Sequence, residues 1–322
     1  MTLAAVSPRQ PLLFQEVPAC WVCGAARLQP FHQCRFDFHD YATQDPDLDA
    51  YTGQTAWLVR CDACGFGQPA ILPTLPRFFD RMYDQRWAED WVEREFDSPY
   101  KDFIFQTILR ELDRRVTERP RRLLDVGAHA GRFMHLASQR GWQVEGIELN
   151  SRTAACAARR TAAPVHQVNA HALASTGRQF RAIALTDVLE HIPDPVVLLT
   201  TIARLVEPGG TVAVKVPCGR SQWRKERLLS ALISGREVSI AGNLVHVNHF
   251  TPRSLTLALE RAGFCRVVIR TGAPELLPLD QSALHRLASN ALRLGVYAAA
   301  RLPGGVHTPL ALNLQAFATF QA

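Results

Sequence analysis

The chain has 322 residues, of which 47% are hydrophobic and 20% charged, a globular composition with room for one large domain or two smaller ones. No apolar run approaches the roughly 18 residues of a membrane span, and Met1–Gln15 does not resemble a secretion signal, so a cytoplasmic protein is expected. The net charge of +6 is uneven: residues 1–118 hold 12 basic and 18 acidic side chains, and residues 119–322 hold 24 and 12. Only three basic residues are lysine, and such an arginine excess does not by itself indicate a nucleic-acid partner.

Two Cys-x-x-Cys-Gly units dominate the first part of the chain, Cys20–Gly24 and Cys61–Gly65. Four thiolates suit tetrahedral Zn²⁺, and the glycines let the backbone fold closely around the metal. We therefore expect a structural zinc site in a zinc-ribbon-like module. The expected ligands are Cys20, Cys23, Cys61 and Cys64. The 37 residues between the pairs exceed the commonest zinc-ribbon spacing, which leaves three replacements for one ligand open: Cys34, His32 and His39.

The rest of the chain changes from a helical pattern to an alternating one. From Leu75 to Glu118 apolar residues recur every three to four positions, and Pro120 ends this run. From Arg121 onward strand-like and helix-like segments alternate, which is typical of a parallel sheet covered on both faces. The expected strands are 123–126, 143–149, 165–168, 182–185, 211–216, 264–270 and 314–320. The expected helices are 131–140, 151–161, 193–206 and 251–262.

The stretch from Leu123 to Phe133 has the pattern of a strand, a glycine-containing turn and the start of a helix. At the carboxyl end of a parallel strand, such a turn directs a helix N-terminus at a ligand. Gly127 and Gly131 let the backbone approach that ligand closely. Glu148 follows Asp125 by 23 residues at the end of the next strand, where an acid would bind a ribose diol.

Two further segments make the pattern specific: Phe180–Pro195 with its Glu190-His191 pair, and Leu205–Pro217 with its Pro-Gly-Gly turn. With the glycine turn they resemble, in order and spacing, the class I S-adenosylmethionine-dependent methyltransferases over about residues 120–270. The resemblance implies a Rossmann-like α/β fold, with a seven-stranded, mostly parallel sheet and helices on both faces. It also implies S-adenosylmethionine as cofactor. A nicotinamide cofactor would favour a Gly-x-Gly-x-x-Gly turn for its pyrophosphate, a group that S-adenosylmethionine lacks.

By this resemblance the glycine turn surrounds the methionine part of the cofactor, Glu148 binds the ribose hydroxyls, and Asn169 stands where an adenine-binding Asp is usual. The residues expected at the cofactor are Asp125, Gly127, Ala128, His129, Gly131, Glu148, Leu149, Asn169, Ala170 and Asp187. Two positions depart from the family pattern, since His129 replaces a common glycine and Arg181 a frequent acid. His129 is expected either near the cofactor's carboxylate or only as a cap of the helix start.

A double-knuckle module before such a domain resembles the sugar C-methyltransferases and related enzymes of bacterial glycan and natural-product pathways. We therefore expect methyl transfer to a small-molecule acceptor, which is a sugar, a glycan precursor or a secondary metabolite. The expected parts are a zinc module (1–75), a helical connector covering the cofactor site (76–119) and a methyltransferase domain (120–322). The last would include a substrate cap at 219–250 and a helical insertion at 273–309.

Two other functions stay open. One is an RNA methyltransferase that holds nucleic acid with its zinc module, although the acidic balance of residues 1–118 disfavours this because a nucleic-acid-binding module shows a basic face. The other is a cofactor-binding scaffold without catalysis. The apolar period of residues 284–301 predicts a packed helix or a homodimer contact, with a membrane-surface helix as the less favoured option.

Histidines are the candidate bases, because a hydroxyl acceptor must lose its proton during methyl transfer and imidazole titrates near neutrality. Three lie in segments expected at the acceptor side, in the order of preference His249, His191 and His246. His249 comes first because it follows the Arg-rich segment 219–236, which would define the acceptor site. That segment would bind an anionic acceptor through its phosphate or carboxylate, or else form a solvated helix face.

Overall fold

A computed structural model of the protein describes residues 13–84, 89–232, 239–278 and 283–321. Residues 1–12 of the predicted zinc module, and Arg236 at the end of the Arg-rich segment, lie outside the described residues. Within the described ranges the chain forms an N-terminal module, a run of connecting helices and a domain built on a seven-stranded sheet.

The N-terminal module consists of two small antiparallel sheets that flank the cysteine turns. Its elements are β1 (Phe14–Glu16), β2 (Leu28–Arg35), α1 (Pro46–Asp49), β3 (Thr55–Cys61), β4 (Gly67–Pro69) and β5 (Ile71–Pro73). Strand β1 pairs with β5, and β3 lies between β2 and β4. Buried aromatic rings of Phe36, Phe38 and Phe78 form its core together with Trp223 and Val247 from the main domain. The module is therefore packed against the rest of the chain.

Three helices connect the module to the main domain: α2 (Phe78–Asp84), α3 (Glu89–Asp97) and α4 (Asp102–Arg115). A short 3₁₀ turn, Pro99–Lys101, separates the last two. Helix α4 buries an apolar stripe that includes Ile104, Ile108 and Leu112 against one face of the central sheet. The segment that the sequence predicted to be helical therefore forms three helices, and α4 is the one that packs on the sheet.

The central sheet has seven strands, in the order β11-β12-β10-β9-β6-β7-β8. They are β6 (Arg122–Val126), β7 (Gln143–Ile147), β8 (Val165–His166), β9 (Phe180–Thr186), β10 (Val206–Pro217), β11 (Phe264–Thr271) and β12 (Asn313–Phe320). Within the described part of this sheet, β12 runs antiparallel to the other six strands, and the parallel pairs extend from β8 to β10. The predicted mostly parallel sheet is confirmed, with the Pro-Gly-Gly turn forming an irregularity at the start of β10.

Helices cover both faces of this sheet, as the sequence predicted. The remaining helices are α5 (Arg132–Gln139), α6 (Ser151–Thr161), α7 (Ala170–Ala174), α8 (Pro195–Leu205), α9 (Gly219–Leu232), α10 (Pro252–Arg261) and α11 (Ala283–Ala300). Side chains of α7, α8 and α10 share one buried cluster with the sheet and with three of the paired cysteines. Side chains of α4 and α5 form the cluster on the opposite face.

The order of the strands decides where a ligand can bind. From β6 the chain continues to β7 and β8 on one side and then crosses to β9 on the other. Connections at the carboxyl ends of β6 and β9 therefore diverge and open a crevice, which is where open parallel sheets bind ligands. The glycine turn predicted from the sequence follows β6 and so lies at this crevice.

Helix α11 turns its polar side toward the protein. Asn290 exchanges hydrogen bonds with the backbone of Leu277, and Arg293 donates to Glu275 O. Leu284, which is 85% exposed, and Leu292 lie on the outer side. Among the described residues, no helix is both long enough and apolar enough to cross a membrane.

Candidate active site

The carboxyl ends of β6, β7 and β9 border a cavity of about 700 Å³, a size typical of small-molecule and cofactor sites. On the sheet side it is lined by residues 125–130, 147–150 and 186–188. The connecting helices also line it, with aromatic and charged residues. Those residues include Tyr83, Trp91, Glu95, Tyr100 and Lys101. The sequence predicted that the connector would cover the site, but it did not single out any of these side chains.

The turn after β6 can be made only with particular residues. Gly127 has φ 74°, and a Cβ there would lie 2.5 Å from Val188 Cγ2 in the loop after β9. Gly131 has φ 89°, and its Cβ would meet the Ala157 backbone of α6 at 2.9 Å. Gly127 therefore lets the turn approach the cavity, whereas Gly131 is not among the described residues that line it and instead lets α5 approach α6.

His129 occupies a backbone position that glycine would adopt more easily, with φ 50°. Its ring lies edge-on to Trp91, with centroids 5.4 Å apart, so the connecting helices hold it in the cavity wall. Burial lowers the pKa of His129 to about 4, and the Lys101 charge acts in the same direction. His129 is therefore neutral at pH 7.

Glu148 ties the glycine turn to the end of β7. Its Oε2 accepts the His129 backbone N–H at 2.8 Å, and its Oε1 accepts the Asn150 N–H at 2.9 Å. Burial raises the pKa of Glu148 even though these backbone donors oppose the shift. Each carboxylate oxygen can accept a further hydrogen bond, so both oxygens can still receive hydroxyl donors from the cavity.

Asp125, the last acid of β6, is 1% exposed and lines the cavity. Its Oδ1 has no hydrogen-bond partner among the described residues. Burial, followed by the nearby Glu148 carboxylate, raises the pKa of Asp125 to about 8. A buried carboxyl group of this kind is suited to a cationic ligand, because a positive charge would stabilise its ionised form.

The remaining predicted cofactor residues lie along the same rim. Asn169 and Ala170 line the cavity at the start of α7, as do Leu149 and Ala128 near β7 and β6. Asn169 Oδ1 accepts the Ala172 N–H at 2.9 Å and so caps α7. The sequence assigned this oxygen to an adenine amino group, and one of its two lone pairs is already used by the helix.

Asp187 follows β9 directly and lines the cavity between two ammonium groups. Lys215 of β10 donates to its Oδ1, and Lys101 Nζ lies 3.2 Å from its Oδ2. Burial alone would raise the pKa of Asp187, but Lys215 and then Lys101 hold it well below its usual range. Sequence analysis missed both lysines; they are two of only three lysines in an arginine-rich chain, and this rarity was the available signal.

His191 is the one of the three candidate histidines that is among the described residues lining the cavity. Its Nδ1 lies 2.6 Å from the carbonyl oxygen of Val245 and 2.6 Å from the Tyr83 hydroxyl, which itself donates to Val245 O. A carbonyl only accepts hydrogen bonds, so Nδ1 carries the proton and Nε2 the lone pair. His246 lies behind it, with ring centroids 4.9 Å apart.

His249, the first choice from the sequence, lies outside the described cavity lining. It is 6% exposed, pairs with Gly67 of the N-terminal module through both backbone hydrogen bonds, and accepts from Trp223 Nε1 at 3.1 Å. Burial lowers the pKa of His249 to about 3. The tertiary structure therefore brings His249 to the contact between module and domain, away from the cofactor turn.

The four paired cysteines converge on one point. Cys20 and Cys64 sulfurs are 3.6 Å apart, those of Cys23 and Cys61 are 3.4 Å apart, and all four lie within 4.8 Å of one another. Zinc–sulfur bonds of 2.3 Å in a tetrahedron require sulfur separations of about 3.8 Å. Gly24 and Gly65 both have φ 75°, which closes the two turns. The cluster therefore fits Zn²⁺ after only small shifts.

The alternative zinc ligands lie elsewhere. Cys34 Sγ donates to Ala56 O at 3.1 Å, His32 packs on Trp223, and His39 lies 3.7 Å from Asp49. The hydrogen bond between Cys20 and Cys64 lowers the pKa of Cys20 to about 5 and raises that of Cys64, so without a metal the two sulfurs share one proton. The described residues thus favour the four paired cysteines over any of the three replacements.

The fold and the cavity together define a Rossmann-like cofactor-binding domain. Residues 96–267 match the model of a family described as a methyltransferase domain, which is more than half of the chain. The chain belongs to this family, and the predicted methyltransferase class is confirmed.

Curated relatives match a shorter stretch of the chain than the family model does. Over 131 residues the chain is 30% identical to the ubiquinone biosynthesis O-methyltransferase of Pseudomonas fluorescens (strain SBW25), which is 39% of this chain and 56% of that protein. Identity to the enzyme of the same name from Pseudomonas aeruginosa (strain LESB58) is 29% over 131 residues, with the same shares covered. The chain therefore spans a little over half the length of the curated relatives it matches.

Solved structures share the fold at low sequence identity. The plantazolicin methyltransferase BpumL in complex with SAH superposes with a TM-score of 0.51 at 15% identity, over 76% of this chain and 95% of that chain. The Haemonchus contortus phosphoethanolamine N-methyltransferase 2 in complex with S-adenosyl-L-methionine gives 0.50 at 16% identity, over 91% and 68%. These likenesses show a common fold.

Proposed function

We propose that the protein transfers the methyl group of S-adenosylmethionine to an oxygen of a small-molecule acceptor inside the cavity. One observation carries the proposal: a single cavity of about 700 Å³ is lined both by the Gly127 turn with Glu148 and by Asp187 with His191. Donor and acceptor bound there would be held in line, and such positioning supplies most of the catalysis in a displacement at a sulfonium centre.

Individual contacts with the donor are part of this proposal. Asp125 would attract the ammonium group of the methionine part, because one oxygen of its buried carboxyl group lacks a partner among the described residues. Glu148 would accept the ribose hydroxyls, and Leu149 with Asn169 would border the adenine. Gly131 contributes through the α5–α6 contact rather than through the cofactor.

The acceptor would occupy the space between Asp187 and the aromatic side chains of the connector, Tyr83, Trp91 and Tyr100. Flat apolar walls with few polar groups suit a sugar ring or an aromatic metabolite. Transfer to oxygen is favoured because the curated relatives are named O-methyltransferases. Of the three candidate histidines, His191 is the one able to act directly in this space.

The sequence also predicted an anionic acceptor, a homodimer and a cytoplasmic location. An anionic acceptor was inferred from the Arg-rich segment, yet in the described part of the chain no residue of α9 lines the cavity, and Arg227 donates to Phe31 O of the module. The described cavity lining includes two cationic side chains that would meet an acceptor anion, Lys101 and Arg132, and they are already paired with Asp187 and Asp102. A homodimer would use the exposed leucines of α11, and a cytoplasmic location is retained as an expectation.

Calorimetric titration with S-adenosylmethionine tests the proposal. Gly127→Val should abolish binding, because its side chain would collide with Val188. Glu148→Ala should weaken binding by tenfold or more, in line with about 1.5–3 kcal/mol for charge-assisted hydrogen bonds. Gly177→Val is the matched control, since Gly177 has φ 72° but nothing within 4 Å of its Cβ position. Unchanged affinity in both cavity variants would refute the proposed cofactor site.

A further inference from the structure

A second group of metal-ligating side chains lies in the wall of the cavity, apart from the cysteines. One ligand atom from each of Glu190, His191 and His246 lies within 4.8 Å of the other two. His191 lines the cavity beside Asp187, so an ion bound by this cluster would face the space proposed for the acceptor.

Glu190 is a buried carboxylate with an oxygen that lacks a protein partner. The residue is 1% exposed, and its Oε2 has no hydrogen bond within the described ranges of the chain. Lys215 and Lys101, the cations near this side of the cavity, are paired with Asp187. Burying a carboxylate oxygen without a donor is costly, and a bound cation would remove that cost.

His191 is oriented as a metal ligand is. Its Nδ1–H donates to Val245 O at 2.6 Å, which leaves the lone pair on Nε2. Ligating histidines commonly donate their second ring nitrogen to a backbone carbonyl in this way, which sets both the tautomer and the ring orientation. The Tyr83 hydroxyl donates to the same carbonyl oxygen at 3.0 Å and strengthens this support.

The cluster is preorganised by a backbone clamp between two distant segments. Val247 and Asn248 N–H groups donate to Glu190 O at 2.9 and 3.0 Å. The side-chain amide of Asn248 donates to Leu189 O at 2.7 Å. These bonds fix His246 next to the Glu190-His191 pair, so the three ligand atoms are held together without relying on a bound ion.

We propose that Glu190, His191 and His246 bind one divalent cation, and that this ion binds the hydroxyl oxygen of the acceptor. One carboxylate and two imidazoles suit Mn²⁺, Fe²⁺ or Zn²⁺ and leave coordination positions open for substrate. The acceptor class is then a molecule with a hydroxyl group, joined by a neighbouring oxygen that fills a second position. The acceptor part of this inference rests on the proposed methyl transfer; the ion site does not.

The ion would take over the task assigned to a histidine base. Bound to a divalent cation, a hydroxyl group has a lowered pKa and releases its proton to water near neutral pH. The resulting alkoxide or phenolate oxygen forms a bond to the donor methyl carbon as the carbon–sulfur bond breaks. The electron pair of that bond goes to sulfur, so the sulfonium becomes the thioether S-adenosylhomocysteine and no oxidation or reduction occurs.

Mn²⁺ binding to the full chain in its zinc-loaded form tests the site, with free Mn²⁺ measured by electron paramagnetic resonance. Wild type should bind one Mn²⁺ per chain, and Glu190→Gln and His246→Ala should each weaken binding at least tenfold. His249→Gln is the matched control, because this histidine follows in the same segment but lies outside the cluster; it should retain wild-type Mn²⁺ affinity. No binding by wild type, or equal binding by all four proteins, would overturn the site.

S-adenosylmethionine affinity, measured on the same proteins, separates this inference from the proposed function. We expect Glu190→Gln and His246→Ala to bind the donor as wild type does, since neither residue is among the described residues that line the cavity. This result would also show that both variants are folded. Mn²⁺ binding without any donor binding in wild type would overturn the proposed methyl transfer and the acceptor assignment while supporting the ion site.

Discussion

At the scale of single residues, Asp125 combines burial, an unpaired oxygen and a position on the cavity wall. Its pKa of about 8 means that the carboxyl group is mostly protonated at pH 7 when no ligand is bound. An ammonium group of the donor would favour the ionised form, so the donor and the proton compete for Asp125. Binding of S-adenosylmethionine should therefore strengthen as pH rises and level off above about pH 8.

The expected slope is up to about tenfold in affinity per pH unit between pH 6 and 8, because one proton is released per donor bound. Calorimetry at four pH values, with buffers of different ionisation enthalpy, would measure both the slope and the released proton. Asp125→Asn should flatten the profile, while Glu118→Gln should leave it unchanged, because Glu118 is exposed, pairs with Arg181 and is not among the described residues that line the cavity. A profile of equal slope in the Asn variant would assign the proton to another group.

At the scale of elements, the cysteine turns are packed directly against α10. Arg261 Nη1 donates to Val22 O at 2.8 Å, and Thr251 Oγ1 donates to Cys64 O at 3.4 Å. Cys20, Cys61 and Cys64 also belong to the buried cluster that includes α8 and the central sheet. Loss of a metal bound by these cysteines would therefore disturb the methyltransferase domain as well as the N-terminal module.

Cys61→Ser tests this coupling. Elemental analysis should find zinc well below one atom per chain, and the melting temperature should fall by about 10 °C or more, because binding of a structural metal is part of the folding free energy. Cys34→Ser is the control: its thiol lies in the same module, donates to Ala56 O and is outside the cluster. Full zinc content in Cys61→Ser would contradict the assignment of the ligands.

At the scale of the whole molecule, the module and the domain share one interior. Trp223 of α9 packs edge-on to Phe31 with centroids 5.1 Å apart, and Gly67 and His249 exchange backbone hydrogen bonds of 2.9 and 3.0 Å. Because such contacts join the two parts, neither can unfold without exposing the interior of the other. Differential scanning calorimetry should show a single cooperative transition, with equal calorimetric and van't Hoff enthalpies. Two separated transitions would show that module and domain unfold independently.

Short-range patterns in the sequence determined the local geometry of this protein. The Cys-x-x-Cys-Gly turns, the positive φ at Gly127 and the Thr251 cap followed by Pro252 each depend on a few consecutive residues. Steric limits on φ and the hydrogen-bonding needs of a helix start act over that same distance, so the sequence could predict them. Apolar runs likewise predicted the strands, since strands buried on both faces require them.

Only the tertiary structure decided which of these elements share a site. Lys101, Asp187 and Lys215 come from a 3₁₀ turn, the loop after β9 and strand β10, and no local period connects them. In the sequence His249 follows the Arg-rich segment 219–236, which was expected to define the acceptor site. In the structure it instead packs with Trp223 and Gly67, where the module contacts the domain. Burial and charge pairing depend on segments that meet only after folding, so the sequence by itself could name the candidate histidines but could not rank them.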